Sequence, residues 1–248
     1  MRALIIGSGI AGLATAHALR RCDIEVAVYA RAPQLAEVGA GIGVWANALR
    51  ALDYLQLGQA VRAAAQAMVV SEIRINNGHT PVMKLSAAEF NAKANSAPAM
   101  TVIHRADLVG VLADALPSGN ARFGHECERV ELTESRVKAT FTNGHTDEAD
   151  LLIAADGVHS VVRRELFGDE PPRYLGYTCW RGVCPRPALI PVGYVGEWWG
   201  RGQRFGITTL AHDRCYWFAT QNAPADQQRS QRRVLKHSRC HKVSLDFA

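Results

Sequence analysis

Three glycines near the start of the chain have the spacing that handles phosphate. Gly7, Gly9 and Gly12 form a G-x-G-x-x-G pattern within Leu4–Leu13. The first allows a tight turn out of a strand. The second lets the backbone approach a pyrophosphate with no Cβ in the way, and the third lets the next helix pack close to the strand. The pattern alone is a weak signal and also occurs in glycine-rich turns that hold no ligand. Its context strengthens it. Arg2–Ile6 is a short apolar run with isoleucines and reads as a buried parallel strand. Leu13–Leu19 is rich in alanine and leucine, which favour helix. Ile24–Tyr29 supplies the next strand. The helix N-terminus then presents free N–H groups and the positive end of its dipole to an anion.

The tip of that second strand departs from the usual pattern. A dinucleotide-binding fold normally places an acid there, on the ribose hydroxyls. This chain reads Val28-Tyr29-Ala30-Arg31, with Ala30 where the carboxylate is expected. Asp23 and Glu25 lie at the wrong end of the strand, and Glu37, in the following loop, reads as a surface residue. Next, Val38–Val44 holds Gly39, Gly41 and Gly43 in five residues, a backbone that must bend or lie against something flat. Asn47–Leu57 reads as a helix ended near Gly58. Val69–Ile75 and Pro81–Leu85 read as strands around an Asn76-Asn77-Gly78 turn. Residues 86–100 read as a loop or short helix. Thr101–Ile103 leads through Arg105 into a helix with Leu108, Leu112 and Leu116 on one face, and Asp107 suits its first turn.

Residues 121–149 alternate like a β-meander with a turn at Asn143-Gly144. Leu151–Ala155 reads as another buried strand and ends in Asp156-Gly157, after which His159, Ser160 and Arg163 begin a helical stretch. Past Pro171-Pro172 the composition changes: ten of the eighteen aromatic residues fall between Tyr174 and Phe218. Short aromatic strands predict an antiparallel sheet whose core takes most of these rings, leaving a few as a wall for an apolar ligand.

Composition excludes several function classes. No run of about 18 apolar residues is present, so no membrane span is expected, and no signal segment precedes the first strand. The six cysteines form no C-x-x-C pair and read as reduced, mostly buried cytoplasmic thiols. His237 and His241 are four apart but sit in a polar stretch and read as solvated, so no metal ligands are assigned. The formal charge of +5 is concentrated in residues 225–248, with six bases and two acids; the rest holds 22 bases against 21 acids. A near-neutral body with a short solvated basic stretch does not point to nucleic acid.

Three separated stretches together carry a family resemblance: Gly7-Ser8-Gly9-Ile10-Ala11-Gly12, His104-Arg105-Ala106-Asp107-Leu108, and Asp156-Gly157-Val158-His159-Ser160-Val161-Val162-Arg163. In this order and spacing the chain resembles FAD-dependent (class A) flavoprotein monooxygenases of the para-hydroxybenzoate or salicylate hydroxylase type, over about residues 1–224. The resemblance implies an α/β fold, a Rossmann-like FAD-binding domain with a parallel sheet, interleaved with a partial antiparallel-sheet substrate domain. The implied division is 1–68 with 101–170 for FAD, 69–100 with 171–224 for substrate, and 225–248 as an irregular basic tail. It implies FAD as cofactor, NAD(P)H as co-substrate, O2, and a small apolar or aromatic substrate. The implied cofactor-binding residues are Gly7, Gly9, Ala11, Gly12, Arg31, Gly41, Arg105, Asp156 and Gly157, with Arg105 approaching the phosphates and Arg31 near the adenosine. No catalytic side chain is implied, because the chemistry is the flavin's.

Two departures accompany the resemblance. Ala30 replaces the expected acid. The family's third motif, a Gly-Asp followed by Pro and Gly-x-Gly, is not found; Gly168-Asp169 directly follows the Asp-Gly segment and is not that motif. The chain therefore reads as C-terminally truncated or altered. Two rival readings follow: a dehydrogenase that binds NAD(P) directly, and a catalytically silent nucleotide-binding fragment.

Overall fold

A computed structural model describes residues 1–35, 40–75 and 80–225. Glu37, Val38, Gly39, the Asn76-Asn77-Gly78 turn and the basic stretch with His237, Cys240 and His241 lie outside the described residues.

The chain opens with β1 (Arg2–Ile6), α1 (Ile10–Arg20) and β2 (Glu25–Tyr29). Four of five residues in each strand are buried, as expected for apolar runs covered on both faces. β3 (Gly41–Trp45), α2 (Ala46–Tyr54), α3 (Gly58–Ala64), β4 (Gln66–Ala67) and β5 (Val70–Ile75) follow. Then come β6 (Met83–Ser86), α4 (Ala87–Ala94), β7 (Met100–His104) and α5 (Arg105–Asp114). β8 (Ala121–Arg122), β9 (Cys127–Leu132), β10 (Val137–Phe141), β11 (Thr146–Ala149), β12 (Leu151–Ala154) and α6 (Val161–Phe167) complete the first 171 residues. The aromatic-rich part forms β13 (Tyr177–Pro185), β14 (Tyr194–Gly200), β15 (Gln203–Leu210) and β16 (Arg214–Asn222).

Two compact units result. The first comprises Met1–Gly39, Leu49–Ala63 and Arg105–Arg173. Its parallel sheet has the order β12-β1-β2-β8, and β9, β10 and β11 form a separate antiparallel meander. Leu4, Ile6, Ala27, Tyr29, Phe141 and Val162 share its core. α5 packs on α1, where buried His17 donates from Nε2 to the Leu112 carbonyl at 2.7 Å. The second unit comprises Ala40–Ala48, Ala64–His104 and Tyr174–Ala248. Its six strands run β13-β16-β15-β14-β5-β6, antiparallel except for the β14–β5 pair, and a smaller sheet has the order β3-β7-β4. Met68, Met100, Val102 and Leu210 form a buried cluster there. No helix of the described residues is long and apolar enough to cross a membrane.

The structure revises several local expectations. The borders at residues 68 and 101 shift, because β3, β4 and β7 pair with one another and carry their residues into the second unit. The helix expected over 47–57 stops at Tyr54, where Gln56 turns left-handed (φ 63°), and Gly58 opens α3 instead of ending a helix. Asp53 and Arg62 clamp the two helices with paired hydrogen bonds of 2.5 and 2.7 Å. Residues 121–122 leave the meander to pair with β2. β12 is an edge strand and only partly buried, with Ala154 exposed. The short helix after residue 86 is present, opened by a Ser86–Glu89 capping box.

Candidate functional site

The glycine loop of the first unit is pinned from two sides. Gly7 adopts φ +112°, a region that favours glycine. Its N–H donates to the Tyr29 carbonyl at 2.7 Å, and any Cβ on it would collide with the Ala155 carbonyl. A Cβ on Gly12 would run into the Gly7 carbonyl oxygen, which explains how α1 closes against the turn. Gly9 behaves differently: nothing lies within 4 Å of where its Cβ would be. It is the extended N-cap of α1 and makes no side-chain cap bond. The first helical bond runs from Leu13 N–H to Gly9 O, so the preceding amides are left for an anion.

That loop lines a cleft of about 200 Å³. The walls include Gly7, Ala30, Arg31, Glu126, Asp156 and His159. Asp156 does not point its charge freely into the cleft. Its Oδ1 accepts from Ser160 Oγ at 2.6 Å, and its Oδ2 accepts from the Val161 and Val162 N–H groups at 2.8 and 3.3 Å. It therefore holds the start of α6, whose Ser160 cap accepts from Arg163 N–H at 3.0 Å. Gly157 follows at φ +89° and turns the chain there. Cys127 also lines the cleft, where burial pushes its thiol up to about 11, away from the thiolate form.

Beneath the cleft, fully buried Tyr29 donates to Asp147 Oδ2 at 2.5 Å and accepts from Arg122 at 2.5 Å. Arg2 adds two 2.7 Å bonds to the same carboxylate. Burial works to raise the Asp147 pKa, but the bonds from Arg2 and Tyr29 outweigh it and hold the group well below the usual carboxylate range. Burial, then the Asp147 bond, push the Tyr29 phenol up to about 12. This network fixes the β2 tip. It escaped the sequence reading because its members lie on β1, β2, β8 and β11 and share no local spacing.

Among the sequence-selected residues, the cleft brings together Gly7, Arg31 and Asp156, with Gly9, Ala11, Gly12 and Gly157 adjoining in the chain. Arg105 is the exposed first residue of α5 and is not in the cleft wall. Arg163 donates to the Glu170 carbonyl at 3.2 Å, and His159 is exposed. Gly41 belongs to the second unit. It lies in β3, where its Cβ would come 2.6 Å from the Tyr216 ring, so the expected close approach to something flat is to a side chain of the chain itself. Beside it is a cleft of about 150 Å³, lined by Gly41, Met100, Val195, Thr208, Tyr216 and Phe218 among others. Thr208 is 9 % exposed, and its Oγ1 is buried there with no hydrogen-bond partner among the described residues.

A family model described as "FAD binding domain" matches residues 1–171. The chain belongs to this FAD-binding-domain family. Gly7–Gly12 forms the tight turn from β1 into α1, and Ala30 stands where a dinucleotide-binding fold usually carries an acid. The FAD-binding-domain chain is similar to the aurachin C monooxygenase/isomerase of Stigmatella aurantiaca, 38% identical over 89% of this chain and 57% of that protein. It is similar to the 3-amino-4-hydroxybenzoate 2-monooxygenase of Streptomyces cremeus, 36% identical over 88% of this chain and 56% of that protein. The crystal structure of Klebsiella pneumoniae HpxO complexed with FAD and uric acid superposes with a TM-score of 0.86 at 29% identity, covering 95% of this chain and 60% of that one. The chain thus spans less than two thirds of these relatives.

Proposed function

We propose that this chain forms the FAD-holding unit and the substrate-facing sheet of an FAD-dependent monooxygenase that uses NAD(P)H and O2 to hydroxylate or epoxidise an aromatic or unsaturated small molecule. One observation carries the cofactor half: Gly7 and Ser8 of the glycine loop line a cleft, and nothing lies within 4 Å of where a Cβ on the next residue, Gly9, would be. There Gly7, Gly9, Ala11 and Gly12 hold the pyrophosphate, Arg31 lies by the adenosine, and Asp156 with Gly157 shapes the adjoining turn. Arg105 and Gly41 complete the set by resemblance. Bound FAD would supply hydride acceptance and oxygen activation. The chain's own residues bind and orient it.

The hydroxylating half rests on the relatives, which include monooxygenases of an aromatic acid and a structure holding uric acid. The second unit suits such a ligand: its cleft is walled by rings and aliphatic side chains, with Thr208 as a polar handle. We place the protein in the cytoplasm, where its thiols stay reduced.

A second reading, a nucleotide-binding chain without turnover, is favoured by one feature: the ribose acid is absent at Ala30. Reconstitution with FAD separates the two. Flavin absorbance that co-purifies, together with hydroxylated product formed in proportion to the NADH or NADPH consumed, supports the monooxygenase. Flavin binding with peroxide as the only product supports the second reading. Absence of flavin binding sinks both.

A further inference from the structure

The cleft of the first unit holds a carboxylate that the sequence motifs do not reveal. Ala30 directly follows β2, with only 4 % exposure and no charge. Alongside it runs the segment from β8 into β9, zipped to the β2 tip by backbone bonds. Ala30 N–H donates to Arg122 O at 2.9 Å, His125 N–H to Ala30 O at 2.8 Å, and Gly124 N–H to Ala32 O at 2.9 Å. The residue after His125 is Glu126. From the other side, Thr142 N–H donates to the Glu126 carbonyl at 2.9 Å. Glu126 is therefore fixed beside the position that normally carries the acid, and it lines the cleft with Ala30, Arg31 and Gly7.

Among the described residues, the cleft wall has two carboxylates, Glu126 and Asp156. Asp156 already accepts three hydrogen bonds that hold α6. The Glu126 side chain is 47 % exposed and meets Arg31 Nη1 at 3.6 Å, outside hydrogen-bond reach. Its oxygens keep lone pairs for a donor arriving in the cleft. Resting on the FAD reading above, we infer that Glu126 accepts hydrogen bonds from the adenosine ribose hydroxyls and so takes over, from a neighbouring strand, the role of the acid missing at Ala30. Arg31 stands beside that carboxylate as its nearest cation, 3.6 Å away. A carboxylate on a hydroxyl donor makes a charge-assisted bond, and removing the charge weakens it without emptying the space.

The experiment measures ADP, 2′,3′-dideoxy-ADP and FAD binding by titration calorimetry, on the parent chain, Glu126→Gln, Glu37→Gln and the double variant Ala30→Glu/Glu126→Gln. The parent should prefer ADP over the dideoxy nucleotide by about 10-fold or more. In Glu126→Gln most of that preference should be lost, with FAD weakened by a similar factor and dideoxy-ADP unchanged. The double variant should recover the preference, because it returns an acid to the β2 tip. A preference that survives in Glu126→Gln, is lost in Glu37→Gln instead, or is absent in the parent overturns the assignment. Loss of dideoxy-ADP binding in Glu126→Gln also overturns it, by showing general damage. A parent that binds none of the three ligands refutes the underlying cofactor reading, a result distinct from a parent that binds FAD with no ribose preference.

Discussion

The two units use glycine for opposite ends. In the parallel-sheet unit, Gly7 and Gly12 are compressed against backbone, while a Cβ on Gly9 would meet nothing within 4 Å. In the aromatic-sheet unit, Gly41, Gly182, Gly196 and Gly206 are each covered by the ring of Tyr216, Trp217, Tyr194 or Phe218. One set packs against backbone around an open position, and the other makes room for the protein's own rings.

The strongest way to break this contrast is Gly7→Ala. The new Cβ would meet the Ala155 carbonyl at a positive φ, with no flexible side chain to yield. We expect a loss of about 3 kcal/mol or more, read as a fall in the denaturant midpoint. A loss under about 1 kcal/mol would show that the turn relaxes freely. Gly9→Val should do the reverse: its extended backbone (φ −76°, ψ −179°) accepts a β-branched residue. Stability should stay within about 0.5 kcal/mol, while FAD affinity falls about 100-fold, or ~2.7 kcal/mol. FAD affinity equal to the parent's would move the pyrophosphate elsewhere.

Asp147→Asn tests whether the first unit's rigidity depends on its buried network. Losing bonds from Arg2 and Tyr29 should cost about 2 kcal/mol. The pH dependence has a definite sign. The folded-state pKa of Asp147 is depressed, so its contribution is fully present above the unfolded value near ~3.9 and is lost as pH falls below it. Acid titration of parent and Asn variant should therefore converge below about pH 4. Parallel curves would assign the acid sensitivity to other groups. The smallest expected effect belongs to the second unit. Thr208→Val removes a buried hydroxyl that lacks a partner, so stability should hold or rise by up to about 1 kcal/mol. Substrate affinity should meanwhile fall about 10-fold, or ~1.4 kcal/mol, by competition titration. A destabilised Thr208→Val with unchanged ligand affinity would give the hydroxyl a structural role.

Legibility in the sequence followed the same division. Gly7, Gly9, Gly12 and the Asp156-Gly157 turn could be read because their residue types and spacing form short local patterns, although the contacts that hold Gly7, to Tyr29 and Ala155, are distant in the chain. The β1-α1-β2 unit and the β5–β6 pair were legible for that reason. The Gly58 helix start and the paired β3–β7 strands were not, because a bidentate Asp53–Arg62 clamp and sheet pairing decided them. Glu126 carries no local signal either. It reaches Ala30 only through the register of β8 on β2. In the second unit the sequence announced a ring-rich sheet, but which ring would cover which glycine depended on cross-strand partners.

The collar around Gly7 also bears on the timing of folding. Its turn leans on Ala155, and Ala155 N–H closes onto Ile6 O at 2.8 Å. β1 cannot complete that side of the sheet until residues 151–154 have been synthesised. The glycine turn proposed to hold phosphate, written in the first dozen residues, is thus a late structure whose loop-closure entropy falls due only near the end of the unit. Nascent chains that end before β12 should therefore carry the motif in full and yet have no grip on a nucleotide.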